Sequence, residues 1–234
     1  MSKYLLTGGS GTLGIELQKH INFDAPKRQK LDIEDVASMI PFARSRFYST
    51  VVHAAAYTDV PGAEKDNLSV IKANILGTLN VANMFVDSRI VYISTDYVYP
   101  GEHGNYKEDD MVRPVNFYGF TKLAGEAFLD PDKDLIIRTS FKPSDLWNTR
   151  LDKAFIDIFT SADYVDVVAK DMALAIESNL TGIINIGTER KSIYELAVQR
   201  NPEVGKISKL ELECPMPRDV SMNIDKFLKL KESL

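Results

Sequence analysis

The sequence is almost without cysteine, since Cys214 is the single one among 234 residues. A lone cysteine cannot form an intramolecular disulfide, so the chain fits a reducing compartment, and the cytoplasm is its expected location. Cys214 stands in a loop-like Cys-Pro-Met-Pro stretch, and only three histidines are available to activate it. We therefore expect an inert thiol rather than a nucleophile.

Long hydrophobic runs and an excess of positive charge are also absent. No stretch approaches the ~20 apolar residues of a membrane helix, and the run before Gly8 is too short for a secretory signal. The net charge of −5 lacks the basic footprint of a nucleic-acid-binding protein. Neither a membrane nor nucleic acid is an expected partner, and no metal site is predicted.

The chain has the composition of a folded domain, with 44% hydrophobic and 26% charged residues. Apolar runs of strand length alternate with segments of helical period, which is typical of βαβ units. We predict an α/β fold, a doubly wound parallel sheet of the Rossmann type. The predicted strands are residues 3–7, 23–25, 50–53, 89–94 and 134–138, and the predicted helices are residues 12–21, 34–42, 63–85 and 118–128.

The pattern changes beyond Phe141, where a connection bearing proline, asparagine and aspartate follows the fifth predicted strand. We predict a short apolar run at 164–168, a helix at 170–177, a strand at 183–186 and a helix opened by Ser192. Ser192 and Glu195 have the spacing of a capping box. We divide the chain into a Rossmann domain, residues 1–140, and a small interrupted cap, residues 141–234, interleaved with the end of the sheet.

A glycine-rich loop separates the first predicted strand from the first predicted helix, with glycines at positions 8, 11 and 14. Such a loop turns the chain sharply and lets backbone N–H groups approach a pyrophosphate. An ordinary glycine-rich turn is the alternative, but the place directly after a strand favours dinucleotide binding. The residues expected to contact the cofactor here are Gly8, Ser10, Gly11, Thr12, Leu13 and Gly14.

The residues after the second predicted strand bear on the choice between NAD and NADP. The acidic residue that would hold a ribose hydroxyl of NAD has an ambiguous counterpart in Asp24, which is followed by Lys27 and Arg28. Two cations at this place suit the extra phosphate of NADP, because a guanidinium matches phosphate geometry. A solvated basic turn is the alternative. NADP(H) is favoured, and NAD(H) stays open.

A tyrosine and a lysine stand four positions apart in the predicted helix 118–128, and Thr95 follows the fourth predicted strand. Tyr118 and Lys122 share one face of a helix, so the ammonium can approach the phenol. A nearby cation lowers the pKa of a phenol and prepares it for acid–base work at neutral pH. The pair alone also fits two surface residues. Together with the glycine loop, it resembles the short-chain dehydrogenase/reductase superfamily.

Further motifs resemble one extended family of that superfamily, the dTDP-4-dehydrorhamnose reductases. The resemblance is dense over residues 1–140 and thin afterwards. The motifs are His-Ala-Ala-Ala-Tyr-Thr-Asp-Val at 53–60, Asn-Ile-Leu-Gly-Thr-Leu-Asn-Val-Ala at 74–82, Ser-Thr-Asp-Tyr-Val-Tyr at 94–99, Asn-Phe-Tyr-Gly-Phe-Thr-Lys-Leu-Ala-Gly-Glu at 116–126 and Ile-Arg-Thr-Ser at 137–140.

The resemblance implies NAD(P)H-dependent reduction of a keto group on a nucleotide-activated 4-keto-6-deoxy sugar. By resemblance, Tyr118 donates a proton to the carbonyl oxygen, Thr95 orients that oxygen, and Lys122 tunes the phenol and holds the nicotinamide ribose. Expected partners are the nucleotide-sugar substrate and a second copy of the chain in a homodimer. The implied cofactor contacts outside the glycine loop are Lys27, Arg28, Asp32, Ile33, Ala54, Ala55, Ala56, Tyr118 and Lys122.

Two other functions stay open beside the reductase. Related dehydratases carry Thr-Asp-Glu where this chain has Thr95-Asp96-Tyr97, which argues against a dehydratase. An NAD-dependent sugar-nucleotide epimerase uses largely the same core residues as a reductase. A non-catalytic NAD(P)-binding regulatory subunit is the alternative of another class, although such proteins usually lose part of the Thr, Tyr and Lys set that this chain keeps. The family's members are typically longer, so the cap expected here is shortened and substrate identity stays open.

Overall fold

The computed structural model of the protein describes residues 4–45, 48–149, 151–211 and 215–233. Cys214 and Lys3, which carry part of the predictions above, lie outside these ranges. Within the described ranges, no helix combines the length and the apolar character needed to cross a bilayer.

In the described residues, a six-stranded parallel sheet forms the centre of the fold, and three two-stranded pairings accompany it. The strands, numbered along the chain, are β1 (Tyr4–Thr7), β2 (Phe23–Asp24), β3 (Thr50–His53), β4 (Arg89–Ile93), β5 (Leu135–Thr139), β6 (Phe141–Lys142), β7 (Lys153–Phe155), β8 (Phe159–Thr160), β9 (Asp163–Tyr164), β10 (Gly182–Ile186), β11 (Lys191–Ser192) and β12 (Gly205–Ile207). The central order is β10-β5-β4-β3-β1-β2, with every neighbouring pair parallel.

Helices connect these strands and cover both faces of the sheet. They are α1 (Thr12–Leu17), α2 (Val36–Ser45), α3 (Val60–Ala63), α4 (Asn67–Val70), α5 (Gly77–Met84), α6 (Phe117–Glu126), α7 (Leu146–Thr149), α8 (Val165–Glu177), α9 (Ile193–Val198) and α10 (Asp225–Glu232). A π-helical segment, Ile71–Leu76, joins α4 to α5, and short 3₁₀ turns occupy Asp96–Val98 and Lys209–Glu211.

The alternation of side chains along the strands divides the core into two layers. Leu6 and Val52 point to the layer that α1, α8 and α10 cover, whereas Leu5 and Val51 point to the layer that α2 and α5 cover. All four side chains are fully buried. The prediction of a doubly wound, Rossmann-type parallel sheet is confirmed.

The winding reverses between β1 and β3, because the chain moves from β1 outward to β2 and then returns to β3 on the other side. Open α/β sheets bind ligands at the carboxyl ends of the strands flanking such a reversal. The glycine loop follows β1, and the alanine run at 54–56 follows β3. The topology therefore directs both predicted cofactor segments to one edge of the sheet.

Three helix predictions differ from the structure by four residues or more. The helix predicted at 12–21 ends at Leu17. The segment predicted as one helix at 63–85 is α3 followed by a helix that restarts after Asp66, whose carboxylate accepts from the N–H of Ser69. The helix predicted at 170–177 begins five residues earlier, at Val165, and absorbs most of the apolar run predicted at 164–168. The β-branched valines there lower helix propensity, but Val165 and Val168 are buried against the core and tertiary packing decides.

The last third of the chain contributes to the central sheet and also builds a smaller cluster of its own. β10 pairs with β5 along its whole length, and α8 packs against α1. The smaller cluster lies around Trp147, Tyr164 and Leu196. The predicted capping box of α9 is confirmed, because Ser192 and Glu195 each accept from the other's backbone N–H.

Candidate active site

A cavity of about 830 Å³ opens at the carboxyl edge of the sheet, beside β1, β3, β4 and β5. The residues predicted to contact the cofactor or to act in catalysis line this cavity, except Lys27 and the ambiguous Asp24. A second cavity of about 480 Å³, beside α8 and α10, contains none of them. The structure therefore brings the glycine loop, the alanine run and the Thr95, Tyr118 and Lys122 side chains to one place.

The glycine loop leaves room for a pyrophosphate in front of α1. Gly8 has φ +76°, and a Cβ there would lie 2.6 Å from the backbone nitrogen of Ala55, so a side chain is excluded by both conformation and contact. Gly11 has an ordinary φ of −78°, and the atom nearest to an added Cβ is the Gly8 oxygen at 3.2 Å. An added Cβ at Gly11 would thus press on the Gly8 oxygen, and the absence of side chains in this loop fits a group bound through backbone N–H donors.

The cavity wall also contains Arg28, Asp32 and Ile33, three of the residues predicted to contact the cofactor. Arg28 donates from Nε to Asp32 at 3.0 Å and from Nη2 to Glu34 at 2.7 Å. These two carboxylates neutralise its charge in the protein alone, and the hydrogen bond and charge of Asp32 raise the pKa of Arg28 above its ordinary value. A 2′-phosphate would have to compete with them for the guanidinium, and Lys27 is not in the cavity wall.

The helix α6 places Tyr118 and Lys122 beside Thr95. Asn116 caps this helix, accepting from the N–H of Gly119 at 2.8 Å. Thr95 is the second residue after the end of β4, and its hydroxyl accepts from the N–H of Tyr97 at 3.2 Å. The three side chains predicted to act together therefore come from a strand end and the first two turns of a helix, both anchored by backbone hydrogen bonds.

The charge of Lys122 is held in an apolar setting. Its ammonium lies 4.0 Å from the centre of the Tyr92 ring, a cation–π contact, and the residue is 2% exposed. Burial lowers the pKa of Lys122 to about 7, while the nearby Glu126 carboxylate opposes that shift. Lysines with this environment are typical of sites where a proton or a charge is used.

The phenol of Tyr118 behaves differently from the sequence-based expectation. Burial raises the pKa of Tyr118 well above its ordinary value, the Asp96 carboxylate raises it further, and a hydrogen bond with Thr95 lowers it. The expected lowering of this pKa by Lys122 is wrong for the protein without ligands, because desolvation outweighs any attraction to the ammonium. Tyr118 is therefore firmly protonated at neutral pH.

Sequence reasoning missed a second pair of charged residues in the cavity wall, Asp96 and Lys142. Asp96 is 1% exposed, and its Oδ2 accepts from the Thr160 hydroxyl at 3.0 Å. Burial raises the pKa of Asp96 to about 6, while Lys142 and three hydroxyl groups oppose the shift. The signal available in the sequence was position, since both residues closely follow neighbouring strands, β4 and β5, whose carboxyl ends meet at this edge.

A buried ion pair between Glu126 and Arg138 lies beside the candidate catalytic residues. Glu126 accepts two hydrogen bonds from Arg138, at 2.7 and 3.1 Å, and a third from the Ser94 hydroxyl at 2.5 Å. Arg138 and Glu126 are 3% and 7% exposed. Because Ser94 precedes Thr95 and Glu126 follows Lys122 by one helical turn, this network connects the strand end to the helix that carries the candidate catalytic residues.

Comparison with known proteins places the chain in a family. A profile described as the RmlD substrate binding domain matches residues 2–171. The chain belongs to this RmlD family. Its curated relatives include the dTDP-4-dehydrorhamnose reductase of Aggregatibacter actinomycetemcomitans, 32% identical over 181 residues that cover 72% of this chain and 61% of the relative. The enzyme of that name from Streptomyces griseus is 36% identical over 150 residues, covering 59% of this chain and 49% of the relative.

This RmlD-family chain thus spans about half to three fifths of the length of the curated relatives it matches. Solved structures resemble it over more of their length. A hypothetical dTDP-4-dehydrorhamnose reductase from Sulfolobus tokodaii shares 32% identity and a TM-score of 0.85, covering 97% of this chain and 93% of that one. The Bacillus anthracis dTDP-4-dehydrorhamnose reductase in complex with NADP shares 26% identity and a TM-score of 0.86, covering 98% and 91%.

Proposed function

We propose that this protein reduces a keto group on a nucleotide-activated sugar with NADP(H), as the names of its RmlD-family relatives suggest. The observation that carries the proposal is the convergence of Thr95, Tyr118 and Lys122 on the cavity that the glycine loop also lines. A nicotinamide dinucleotide bound along that loop would supply the hydride. The alternative function, that of a sugar-nucleotide epimerase, depends on the same residues, and no separate observation favours it.

The roles we propose follow from the chemistry of each side chain. Tyr118 is the proton donor, and its raised pKa suits reduction, because the acid must still hold its proton when the carbonyl oxygen becomes negative. Thr95 orients that oxygen with its hydroxyl. Lys122, with a pKa of about 7 caused by burial, would be charged more fully once anionic phosphates lie nearby, and would then favour the ionised phenol that remains after proton donation.

We propose NADP(H) as the preferred cofactor, with NAD(H) as the alternative. The solved relative from Bacillus anthracis that contains NADP supports this choice, and so does the presence of Arg28 in the cavity wall. The two carboxylates that bind Arg28, those of Asp32 and Glu34, oppose this choice, because they must release the guanidinium before it can bind a phosphate. The glycine loop and the Ala54–Ala56 run fit either dinucleotide.

We further propose that residues 141–234 provide the substrate-binding cap. Four residues at the start of this segment, 141–143 and Leu146, line the cavity together with the glycine loop. The central sheet also takes β10 from this segment, so the cap is not a separate body. We retain the boundary at residue 140 as a division of roles: residues 1–140 for the cofactor, and residues 141–234 for the substrate.

We propose a homodimer and a cytoplasmic location. Three elements that pack against one another each carry an exposed apolar side chain. These are Leu68 on α4, Leu76 on the π-helical segment and Phe120 on α6, which are 47–63% exposed. An apolar surface of this kind suits burial against a second copy of the chain. Phe120→Glu should convert a dimer into monomers in analytical ultracentrifugation. The single cysteine in the sequence supports a reducing compartment.

The proposed reduction is tested by incubating the protein with NADPH and a dTDP-4-keto-6-deoxy sugar while recording cofactor absorbance. Tyr118→Phe keeps the ring but removes the proton, so turnover should fall about 10²- to 10⁴-fold while NADPH affinity changes little. Thr95→Val should lower turnover through poorer carbonyl alignment. A wild-type protein that binds NADPH tightly yet turns over none of the keto-sugars would favour the regulatory-subunit alternative.

A further inference from the structure

Three positively charged side chains line the cavity among the residues that the structure describes: Arg28, Lys122 and Lys142. Arg28 is bound by two carboxylates at the cofactor end. Lys122 is on α6, the helix that carries the proposed proton donor, and its ammonium lies over the ring of Tyr92. Lys142 has no role in the reaction as described so far, although a charged side chain in a cavity wall requires a reason.

Lys142 occupies β6, which begins two residues after the end of β5 and pairs with β9 opposite Tyr164. Its backbone is therefore fixed at the carboxyl edge of the sheet, on the cap side of the cavity. The side chain is partly exposed to the cavity. Among the described residues, the Lys142 ammonium makes no hydrogen bond and no ion pair within 4.0 Å.

Asp96 attracts this ammonium without capturing it. The two charges interact electrostatically, since each shifts the pKa of the other toward the charged form, against the effect of burial. The Asp96 carboxylate already accepts from the hydroxyls of Thr95, at 3.3 Å, and Thr160, at 3.0 Å. The oxygens of Asp96 are thus engaged by hydroxyl groups, whereas the three N–H donors of Lys142 are left for a ligand.

We infer that Lys142 binds the diphosphate of the nucleotide-activated substrate, an inference that rests on the reductase function proposed above. A lysine ammonium is a compact point charge that binds phosphate oxygens well, and a diphosphate supplies the acceptors that Lys142 lacks in the protein. Tyr118 and Lys142 line the same cavity, and so does Asp96, which interacts electrostatically with both. A nucleotide sugar with its carbonyl at Tyr118 therefore lies in the cavity into which Lys142 brings its ammonium.

The test is titration calorimetry of dTDP and UDP into the protein saturated with NADP. Lys142→Met should weaken diphosphate binding about 10- to 100-fold, the loss expected for one hydrogen bond to a charged group. Lys142→Arg keeps the charge and should retain most of the affinity. Thymidine, which has no phosphate, should bind wild type and Lys142→Met equally. Lys170→Met, on the exposed side of α8, is the matched control and should bind like wild type.

NADP affinity, measured on each variant first, shows whether the fold and the cofactor site are intact. Equal dTDP and UDP affinities of wild type and Lys142→Met overturn the role of Lys142, and keto-sugar turnover by the same wild-type protein would leave the reductase function standing. A wild-type protein that binds neither diphosphate overturns the inference, and if it also lacks turnover, the proposed function fails with it. Equal weakening of thymidine and dTDP would also refute it, because the lost contact would not involve phosphate.

Discussion

Replacing Lys122 by methionine is expected to stabilise the protein, most strongly at low pH. Burial lowers the pKa of Lys122 from 10.5 to about 7, and each unit corresponds to about 1.4 kcal/mol. Below pH 7, where both folded and unfolded chains carry the charge, the lysine therefore costs about 5 kcal/mol of folding free energy. Between pH 7 and 10.5 the folded chain holds fewer protons than the unfolded chain, so stability rises with pH and the penalty falls to about 2 kcal/mol at pH 9.

Methionine keeps an unbranched stem near Tyr92 and removes the charge, so Lys122→Met measures the net cost of that charge, which is its desolvation less its attraction to Glu126 and to the Tyr92 ring. Urea unfolding at pH 6 and pH 9, followed by circular dichroism and by the fluorescence of Trp147, the single tryptophan, measures both variants. The stabilisation should be larger at pH 6 by about 3 kcal/mol. The exposed Lys170→Met provides the control and should show no such pH dependence. Destabilisation at pH 6, or an equal effect at both pH values, would refute the reasoning.

Three further predictions concern the cofactor end and the support beneath the site. Arg28→Ala should weaken NADPH more than NADH in titration calorimetry, because charge-assisted hydrogen bonds are worth roughly 1.5–3 kcal/mol each; equal weakening of both would exclude contact with the 2′-phosphate. Gly11→Leu should lose NADPH affinity, since its Cβ would press on the Gly8 oxygen, 3.2 Å away, in a loop that lines the cavity; unchanged affinity in a variant with the circular dichroism of wild type would remove the loop from the site. Glu126→Gln should destabilise the protein by about 3–5 kcal/mol in urea unfolding, because Arg138 would stay buried without its counter-charge, and a stability equal to wild type would contradict that account.

The sequence identifies most of the sheet because each central strand is a short apolar run bounded by turn residues. The run at 50–53 has the same bounds in the structure, and the others differ by one or two residues. Helix limits are harder to predict where local propensity and packing disagree. α8 begins among valines that favour a strand locally, and only the buried contacts of Val165 and Val168 with the core make the helix the better solution.

The site was predictable where the chemistry depends on spacing, and less so where it depends on burial. Glycines after a strand and a Tyr–Lys pair four positions apart are patterns along the chain, and their residues do line one cavity. Spacing does not predict the direction in which the pKa of Tyr118 shifts. That direction depends on how much water reaches the phenol and on the carboxylate of Asp96, which comes from another element. Lys142 was missed for the same reason: its place beside Asp96 arises from the adjacency of β4 and β5 rather than from spacing.

The charged residues in and around the cavity fall into two kinds, and the difference bears on what the cavity does. Glu126 and Arg138 satisfy one another with paired hydrogen bonds, so their burial is compensated and their role is structural. Lys122 and Lys142 have no such partner among the described residues, and burial lowers the pKa of each. A protein that only bound a dinucleotide would have a reason to keep Lys122, which is proposed to hold the nicotinamide ribose. It would have no reason to keep Lys142, whose charge is partly desolvated at a cost to the stability of the fold. The Lys142 ammonium, which Asp96 attracts but which makes no hydrogen bond or ion pair within 4.0 Å among the described residues, therefore argues for a second, anionic ligand in the same cavity.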